Sequence, residues 1–385
     1  MQAMQIERNE GFMEGSDVAV EAHGVVVPMP GGSETYFNFH WLRDNCPSSF
    51  DPVTRERVFD LFAGRDRPRA RSAALRDGGL VIEWEGEDHT SHYPFAMLGT
   101  YATGEPRPDP ADLPRRAWYA DHYDAMVRVS HGRVLDDAAE RRRWMEALLI
   151  DGVAIVTDMP DCDEGLTRTA EAIGTIRPSF FGTYFDVRTH IAPTNLAFTA
   201  SALEMHTDVP AEELAPGIQF LHCRANTVRG GRNLFLDGLA VANDLREADP
   251  EAFRLLSETE IPFYKEHDHI DMRARQRVIE LDRHGAVTGV TMSQHMADMI
   301  DLPQRQLDRY YPALVRFGRM MHDERYVMRF SLRAGECIVF DNHRIVHGRE
   351  AYSATSGDRY LRGTYTDRGE LRGRYRAMVS DGRFK

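Results

Sequence analysis

The chain has 385 residues, of which 42% are hydrophobic and 28% charged, and this profile predicts a globular protein with one large and one smaller domain. Its formal net charge of −13 argues against general attraction to nucleic acid or to an anionic membrane surface, so we expect a small-molecule partner. Four scattered cysteines, no signal-peptide pattern and no apolar run of about 20 residues predict a reduced, soluble, cytoplasmic protein.

The N-terminal part of the chain, residues 1–105, predicts a small β-rich domain of short strands separated by turns. Leu80, Ile82 and Trp84 alternate with other residues between two glycine-containing turns, which is the pattern of a strand. The polar segment 106–116 contains four prolines and is predicted to be a linker.

The rest of the chain, residues 117–385, predicts a larger domain with a few helices and many strands. The predicted helices are Asp136–Leu149, Asp163–Ile173 and Val241–Ser257, the last with a break at Asp249-Pro250. The predicted strands are Gly152–Val156, Gly217–Cys223, Asn233–Asp237, Val278–Leu281, Val287–Met292, Glu336–Phe340 and Tyr360–Thr366. This order predicts an α+β, mainly β fold, a barrel or double-sheet jelly roll braced by helices, rather than a parallel doubly wound sheet.

A candidate metal site begins in the segment LEMHTDVP. His206 and Asp208 are two residues apart, so on an extended backbone their side chains point the same way and can reach one ion. Two histidines and one carboxylate bind iron(II) on one face and leave positions open for reaction with O2. A third ligand must therefore come from elsewhere in the chain.

The pattern His-x-Asp occurs three times, so the context of each has to decide. The segment from His122 to Asp124 lies next to the predicted linker, and the one from His269 to Asp271 lies in a densely charged stretch that we interpret as a solvated loop or helix face. The segment starting at His206 follows apolar and small residues and precedes Val-Pro, as expected where a strand opens into a cavity.

The third ligand is predicted in CIVFDNHRIVHGRE, where His347 follows an apolar strand and a turn, with His343 as the nearest alternative. An arginine twelve residues later, Arg359, could face into a barrel and bind a dicarboxylate. In the alternative register Arg359 faces solvent and Arg362 points inward.

These residues resemble the 2-oxoglutarate dioxygenases related to taurine dioxygenase, and within them the γ-butyrobetaine hydroxylases. The motifs that carry the resemblance are WLRDNCP, FFGTYFDVR, HTDVP, PGIQFLHC, GGRNLFLDG, VIELDRHG, FDNHRIVHGRE and RYLRGTYTD. The resemblance implies a double-stranded β-helix, or jelly roll, and a hydroxylase that uses Fe(II), 2-oxoglutarate and O2. It also implies iron at His206, Asp208 and His347, with Arg359 and Asn233 holding 2-oxoglutarate.

The resemblance further implies an aromatic cage for a trimethylammonium group, which ring faces attract because it cannot donate a hydrogen bond. The residues at the matching positions are Phe181, Phe185 and Phe198, with Tyr184 and Tyr365 nearby. Without the family context, an aromatic stripe of this kind is more often core packing.

The acid end of the substrate is less well defined by the sequence. Asn195 keeps an amide that could meet an anion, whereas Val209 replaces a tyrosine of some relatives, and Ser293 and Gln294 stand where asparagines occur in the family. γ-Butyrobetaine is the first candidate substrate, with 2-trimethylaminoethylphosphonate as an alternative.

In the N-terminal part, relatives carry a cysteine cluster with a later histidine that suits structural zinc. This chain has Cys46, with His92 as the candidate histidine, but Ser48 and Asp51 replace the other thiols, so we expect no zinc there.

Two other classes of function use part of the same pattern. A zinc hydrolase would need a general base, for which Glu204 is the nearby candidate, and it would have no role for Arg359. A non-enzymatic protein that binds quaternary ammonium compounds would keep the cage without needing iron. Because family members are often homodimers, we also expect a homodimer.

Overall fold

The computed structural model describes residues 18–188, 199–267 and 269–380. The chain divides into two compact units, the first ending at Pro108 and the second beginning at Asp109.

The first unit contains two three-stranded antiparallel sheets. Its strands are β1 (Ala19–Val20), β2 (Gly24–Pro28), β3 (Glu34–Asn38), β4 (Ala70–Arg76), β5 (Gly79–Trp84) and β6 (Thr90–Pro94), and its helices are α1 (Phe39–Asp44) and α2 (Phe95–Tyr101). The predicted alternating strand is confirmed as β5, whose Leu80, Ile82 and Trp84 are fully buried. The Trp84 Nε1 donates to the Ser91 Oγ at 2.8 Å, so the large indole is buried without an unsatisfied donor.

The second unit is built on two larger sheets. A six-stranded sheet contains β7 (Arg128–Ser130), β8 (Val153–Thr157), β9 (Phe185–Val187), β11 (Ile218–Asn226), β18 (Cys337–Asp341) and β20 (Arg359–Thr366), in the order β7-β8-β18-β11-β20-β9. A four-stranded sheet contains β10 (Leu203–His206), β12 (Asn233–Asp237), β17 (Met328–Phe330) and β19 (Ile345–Arg349), in the order β10-β19-β12-β17. Within these sheets only the β7–β8 pair is parallel among the described strands.

Two hairpins and seven helices complete the described part of this unit. The hairpins are β13 (Glu260–His267) with β14 (Ile270–Arg277), and β15 (Ile279–Leu281) with β16 (Val287–Val290). The helices are α3 (His131–Asp136), α4 (Ala138–Ile150), α5 (Asp163–Glu171), α6 (Gly238–Ala248), α7 (Pro250–Glu258), α8 (Gln304–Met321) and α9 (Arg368–Val379).

The six-stranded sheet is apolar on both faces, and each face packs against a different partner. Leu221 and Phe340 share one buried cluster with Phe235 of the four-stranded sheet, so the two sheets face each other. The residues next to them, Phe220 and Val339, belong to a second cluster with Trp144 and Leu148 of α4 and Leu371 of α9. This explains why the central strands read as continuous apolar runs in the sequence.

The outer face of the four-stranded sheet is covered by α6, α7 and α8. Leu236 and Val346 of the sheet pack with Val241, Phe253 and Phe317, one from each helix in turn. The sheet is therefore held between helices on one side and the six-stranded sheet on the other, which fixes the strands that carry the candidate metal ligands.

A buried ion pair joins the end of β12 to the turn before β19. The Nε and Nη2 of Arg344 donate to the two carboxylate oxygens of Asp237 at 2.9 and 2.8 Å, and these residues are 3% and 0% exposed. Asp237 also caps α6 by accepting from the Leu239 backbone N–H.

Most predicted elements of the second unit are confirmed, including the helix break at Asp249-Pro250, where α6 ends and α7 begins. The interpretation of the charged stretch around His269 as a solvated loop or helix face is wrong, because this stretch forms the hairpin β13–β14. Helices α8 and α9 were not predicted. Across the described ranges, no helix has both the length and the apolar character that crossing a membrane requires.

Candidate metal centre

Two histidines lie opposite each other on neighbouring strands of the four-stranded sheet. His206 on β10 pairs with His347 on β19 in antiparallel register, so both side chains extend from the same face. Their ring centroids are 4.4 Å apart, close enough for both imidazoles to bind one ion.

Asp208 completes the cluster two residues after the end of β10. Its Oδ1 lies 3.2 Å from the Nε2 of His206 and 3.7 Å from the Nε2 of His347. One ligand atom from each of the three residues lies within 4.8 Å of the other two, and no other described group of histidines, cysteines and carboxylates has this arrangement. Two imidazole nitrogens and one carboxylate oxygen, all on one side, fit a divalent transition metal with open positions.

Hydrogen bonds orient these ligands. The Nδ1–H of His206 donates to the Glu204 carbonyl oxygen at 2.7 Å, which leaves Nε2 as the free lone pair facing Asp208. The hydroxyl of Tyr365 donates to the Asp208 Oδ2 at 2.7 Å, which leaves Oδ1 facing the histidines. Each of these two ligands therefore presents one atom to the centre of the cluster.

The protonation states also suit a cation. Burial favours the neutral acid of Asp208, but the neighbouring His206 and His347, with the hydroxyl of Tyr365, outweigh burial and hold its pKa below the usual value. Burial, assisted by the charge of His206, lowers the pKa of His347 to about 3. An ionised carboxylate and a neutral imidazole are the forms that bind metals.

The cluster opens into a cavity between the two sheets, with an empty volume of about 750 Å³ that includes its mouth. It is lined by Phe181, Phe185, Val187, Leu203, His206, Asp208, Gln219, Leu221, Asn233, Phe235, His295, Met296, His347, Gly348, Arg349, Arg359, Leu361 and Tyr365.

Arg359 brings a buried positive charge into this cavity. It is 6% exposed, and its Nη2 donates to the Asn233 Oδ1 at 3.1 Å. Its Nε and Nη1, and the Nδ2 of Asn233, have no hydrogen-bond partner among the described residues. Burial, with the neighbouring charge of Arg349, lowers the pKa of Arg359 to about 10, so it stays charged at neutral pH. Unsatisfied buried donors on a cation fit the carboxylate of a small acid.

Arg362 lies on the opposite face of β20. Its Nη1 donates to the Asp186 Oδ1 at 2.8 Å, and it does not line the cavity. The register in which Arg359 faces inward is therefore the one that the structure has.

Three of the predicted cage aromatics, Phe181, Phe185 and Tyr365, line the cavity. The ring of Phe185 stacks on Tyr365 with centroids 5.0 Å apart, and Phe181 lies 5.8 Å from Phe185. Gly363 permits this arrangement, because a Cβ on it would lie 2.2 Å from the Phe185 ring. Asn195 and Phe198 lie outside the described residues.

Two other predicted contact residues do not reach the cavity lining. The hydroxyl of Tyr184 is 2.7 Å from the Thr167 Oγ1, and its ring packs under Arg362 on the outer side of the sheet. The prediction that Tyr184 contributes to the cage is corrected by this placement. Ser293 is buried next to the cavity, but His295 and Met296, which follow it, form the lining.

The structure adds cavity residues that were not predicted from the sequence. Gln219 pairs with Tyr365 across β11 and β20 and lines the cavity. It precedes the core residue Phe220, so its side chain lies on the other face of the strand, and this position was the signal available in the sequence. Arg349 lies two residues beyond His347 on one strand, so period-2 spacing could have found it. His295, whose ring centroid is 4.9 Å from that of His206, had no comparable signal.

Glu204, the general base that a hydrolase would need, is badly placed for that role. Its exposed carboxylate lies 3.8 Å from the Nε2 of His322, and Glu204 is not among the residues that line the cavity. In the N-terminal unit, Cys46 lies 3.5 Å from the Nε2 of His89, whereas His92 is exposed, so His89 replaces His92 as its neighbour.

Comparisons with known proteins agree with this geometry. The family model described as "Taurine catabolism dioxygenase TauD, TfdA family" matches residues 118–365. The γ-butyrobetaine dioxygenase of Pseudomonas sp. (strain AK-1) is 34% identical, over 91% of this chain and 92% of its own length. The γ-butyrobetaine dioxygenase of Homo sapiens is 31% identical, over 90% of this chain and 92% of its own length. AAD-2, solved in complex with Mn(II) and N-oxalylglycine, shares the fold at a TM-score of 0.50 and 15% identity, over 60% of this chain and 90% of its own.

Proposed function

From the premise that this chain belongs to the taurine catabolism dioxygenase TauD, TfdA family, we propose that it hydroxylates a small trimethylammonium-bearing acid with Fe(II), 2-oxoglutarate and O2. The first candidate substrate is γ-butyrobetaine, which two relatives have in their names, and the alternative is 2-trimethylaminoethylphosphonate. The observation that carries the proposal is the convergence of His206, Asp208 and His347 beside a buried arginine with unsatisfied donors.

His206, Asp208 and His347 are proposed to hold the iron through two Nε2 atoms and the Asp208 Oδ1. Iron(II) bound there, with 2-oxoglutarate and O2, supplies the oxidation of a substrate C–H bond to an alcohol, with succinate and CO2 as coproducts. The task of the chain is to bind, orient and shield the reactants. Tyr365 contributes by fixing one oxygen of Asp208, so that the other oxygen is the one presented.

Arg359 and Asn233 are proposed to hold the carboxylate of 2-oxoglutarate that is remote from the metal. The unsatisfied Nη1 of Arg359 can donate to this carboxylate, and the Nδ2 of Asn233 can add a second hydrogen bond. Both residues line the same cavity as the metal cluster, so one small dicarboxylate can reach both places. A zinc hydrolase would have no use for this second site.

Phe181 and Phe185, with Tyr365, are proposed to receive the trimethylammonium group of the substrate. Their rings form the aromatic side of the cavity next to Asp208, and ring faces attract a quaternary ammonium that cannot form hydrogen bonds. The rings also exclude water from the reacting centre.

The fold assignment extends this proposal. Two facing, almost wholly antiparallel sheets of six and four strands, flanked by helices, support a double-stranded β-helix. Residues 1–105 are proposed as a separate N-terminal domain, residues 106–116 as a linker and residues 117–385 as the catalytic domain. The homodimer and the cytoplasmic location stay predictions.

An oxygen-addition assay tests the proposed function. The protein is loaded with Fe(II) and 2-oxoglutarate without oxygen, and succinate is measured after O2 is added, with and without γ-butyrobetaine or 2-trimethylaminoethylphosphonate. We expect one of these acids to raise succinate formation and to gain one oxygen atom, and His206→Ala to abolish both. Binding of the acid without succinate formation would instead support a non-enzymatic binding protein.

A further inference from the structure

Gln219 brings a side-chain amide into an apolar row of the cavity wall. On the inner face of the six-stranded sheet, its neighbours across the strands are Phe340 on β18 and Tyr365 on β20, and Val153 on β8 lies beyond Phe340. Leu221, two residues along β11, faces the same way. These four neighbours belong to one buried apolar cluster. A hydrophobic side chain would fit at position 219, so the amide needs an explanation of its own.

The amide of Gln219 is buried without being satisfied. The residue is 1% exposed, and its Oε1 has no hydrogen-bond partner among the described residues. A buried acceptor without a donor is less favourable than an apolar group of the same shape. Because Gln219 lines the cavity, the missing partner has to come from what the cavity binds.

Gln219 lies beside the two residues that touch the metal ligands from the six-stranded sheet. Its neighbour Tyr365 donates its hydroxyl to the Asp208 Oδ2 at 2.7 Å, and the ring of its other neighbour, Phe340, lies 4.9 Å from the ring of His347. Gln219, Asp208 and His347 line the same cavity, with Gln219 on one sheet and His347 on the sheet that faces it. A small ligand bound over the metal cluster therefore lies against the wall that contains this amide.

The amide is too far along the strands to share the carboxylate site of 2-oxoglutarate. Gln219 pairs with Tyr365, whereas Arg359 lies six residues earlier on β20 and pairs with Asn226. At the rise of an extended strand this separates the two backbone positions by about 20 Å. The partner of Gln219 is therefore a group near the metal cluster and not the carboxylate that is remote from it.

Neither reactant can satisfy the Gln219 Oε1. 2-Oxoglutarate and γ-butyrobetaine, with their carboxylates ionised, have no N–H or O–H group to donate. Hydroxylation changes this, because a C–H bond of the substrate becomes C–O–H. The new hydroxyl can donate to the Oε1 or, if the amide is turned over, accept from the Nε2, so it forms a hydrogen bond with either orientation of the amide.

We propose that Gln219 forms the subsite for the hydroxyl group of the alcohol product. The amide has no partner in the substrate complex and gains one in the product complex, so the protein binds the hydroxylated trimethylammonium acid more tightly than the acid from which it is made. Since the amide lies on one wall of the cavity, it meets the hydroxyl of one enantiomer. This inference rests on the proposed function, because it assigns a place to the product of that reaction.

The first test measures binding to protein loaded with Mn(II) and succinate, in which no turnover occurs. The ligands are γ-butyrobetaine and the two enantiomers of its 3-hydroxy derivative, and calorimetry gives their affinities. We expect the wild type to bind one enantiomer about 3- to 10-fold more tightly than γ-butyrobetaine, which is the contribution of one hydrogen bond between uncharged groups. If the oxygen-addition assay identifies 2-trimethylaminoethylphosphonate as the substrate, that acid and its 1-hydroxy derivative are compared instead.

A variant assigns this preference to the amide. Gln219→Met keeps the length of the side chain and removes its polar atoms, so it should bind the alcohol and γ-butyrobetaine equally, with the affinity for γ-butyrobetaine unchanged. Gln306→Met makes the same replacement at an exposed position of α8 and should keep the wild-type preference. Equal weakening of both ligands in Gln219→Met would make the amide part of substrate binding and overturn the subsite.

The second test uses the wild-type protein alone, so it decides even if Gln219→Met does not fold. Chiral chromatography identifies the enantiomer that the protein forms from the substrate and O2. The enantiomer that is formed should be the one that binds more tightly in the first test. Tighter binding of the opposite enantiomer would overturn the subsite.

The outcomes separate this inference from the proposed function. If the wild-type protein hydroxylates the acid but binds neither enantiomer of the alcohol more tightly than the acid, the subsite is wrong and the proposed function stands. If the wild-type protein neither binds nor hydroxylates a trimethylammonium acid, both fall together.

Discussion

The side-chain amide of Asn342 forms hydrogen bonds with both the backbone N–H and the backbone carbonyl of Asp208. Its Oδ1 accepts from the Asp208 N–H at 2.7 Å, and its Nδ2 donates to the Asp208 carbonyl at 3.0 Å and to the Pro216 carbonyl at 3.0 Å. The next residue, Val209, has a φ of +53°, a conformation that costs a β-branched residue about 1–3 kcal/mol. The amide of Asn342 is therefore what keeps a strained loop in the position where its carboxylate meets the histidines.

Because Asn342 holds the backbone of the metal ligand Asp208, we expect its substitution to weaken metal binding. Asn342→Ala should weaken the binding of Mn(II) about 10- to 100-fold, because partners that orient metal ligands typically contribute this much. The measurement is a Mn(II) titration followed by EPR. Asn226→Ala is the matched control, since it also removes an amide that holds a backbone carbonyl, the one of Leu332, but lies on the far part of β11. Equal Mn(II) affinity in both variants would remove Asn342 from the site.

The buried arginine predicts a defect in cosubstrate binding. Arg359→Ala should raise the KM for 2-oxoglutarate about 10- to 100-fold, because a charged hydrogen-bonding partner is lost from a buried site. Arg362→Ala, three residues along the same strand but directed to Asp186, should leave this KM unchanged. Initial-rate kinetics at varied 2-oxoglutarate measure both. An unchanged KM in the first variant would assign the carboxylate to another residue.

The aromatic side of the cavity predicts a loss specific to the cation. Phe185→Leu keeps much of the volume but removes the ring face, and should weaken binding of the trimethylammonium substrate by about 1–2 kcal/mol. Calorimetry on the Mn(II)-loaded protein measures this. Tyr184→Phe removes a hydroxyl bound to Thr167 outside the cavity and should have no effect. If Phe185→Leu bound the substrate normally, its ring would be only core packing.

The ion pair between Arg344 and Asp237 predicts a large effect on stability. Removing one partner of a buried pair leaves the other charge uncompensated, so Arg344→Leu should lower the free energy of unfolding by about 3–5 kcal/mol. Urea unfolding followed by circular dichroism measures the change. Arg142→Ala, which breaks the exposed pair with Glu146, should have little effect. Similar losses in the two variants would show that burial of the pair is not what matters.

His222 predicts a pH-dependent loss of stability. It is 1% exposed, and burial, with the charge of Arg224, lowers its pKa to about 4. The unfolded chain binds a proton near pH 6.5 and the folded chain does not, so stability falls as the pH drops from about 6.5 towards 4 and is unaffected above that window. The melting temperature of His222→Gln should fall less between pH 8 and pH 5 than that of the wild type. Equal losses would show that His222 does not titrate in this range.

The sequence predicts best where one local pattern and one physical cause coincide. The buried strands of the six-stranded sheet are continuous apolar runs, and the structure brings together the His206, Asp208 and His347 side chains that ligand chemistry had grouped. It also places Arg359 rather than Arg362 in the cavity, the register favoured from a two-residue period.

Prediction fails where tertiary contacts override the local pattern. Helix α8 was not predicted, although its buried residues Tyr310, Ala313, Phe317 and Met321 have helical spacing, because Pro312 and many charged residues interrupt the apolar pattern. The stretch that forms the hairpin β13–β14 was predicted to be a loop or helix face because its many charged residues hide the alternation of the two strands. Tyr184 and Phe185 differ by one residue in register, which no composition rule resolves, and His295 reaches the cavity through a turn without periodicity.

The most direct test of the central claim is the position of the metal. Crystals grown with Mn(II) and 2-oxoglutarate without oxygen, measured at the manganese absorption edge, give an anomalous peak that locates the ion. We expect one strong peak within bonding distance of the Nε2 of His206, the Oδ1 of Asp208 and the Nε2 of His347, with the remote carboxylate of 2-oxoglutarate on Arg359. A peak elsewhere, with these three side chains unligated, would contradict the account.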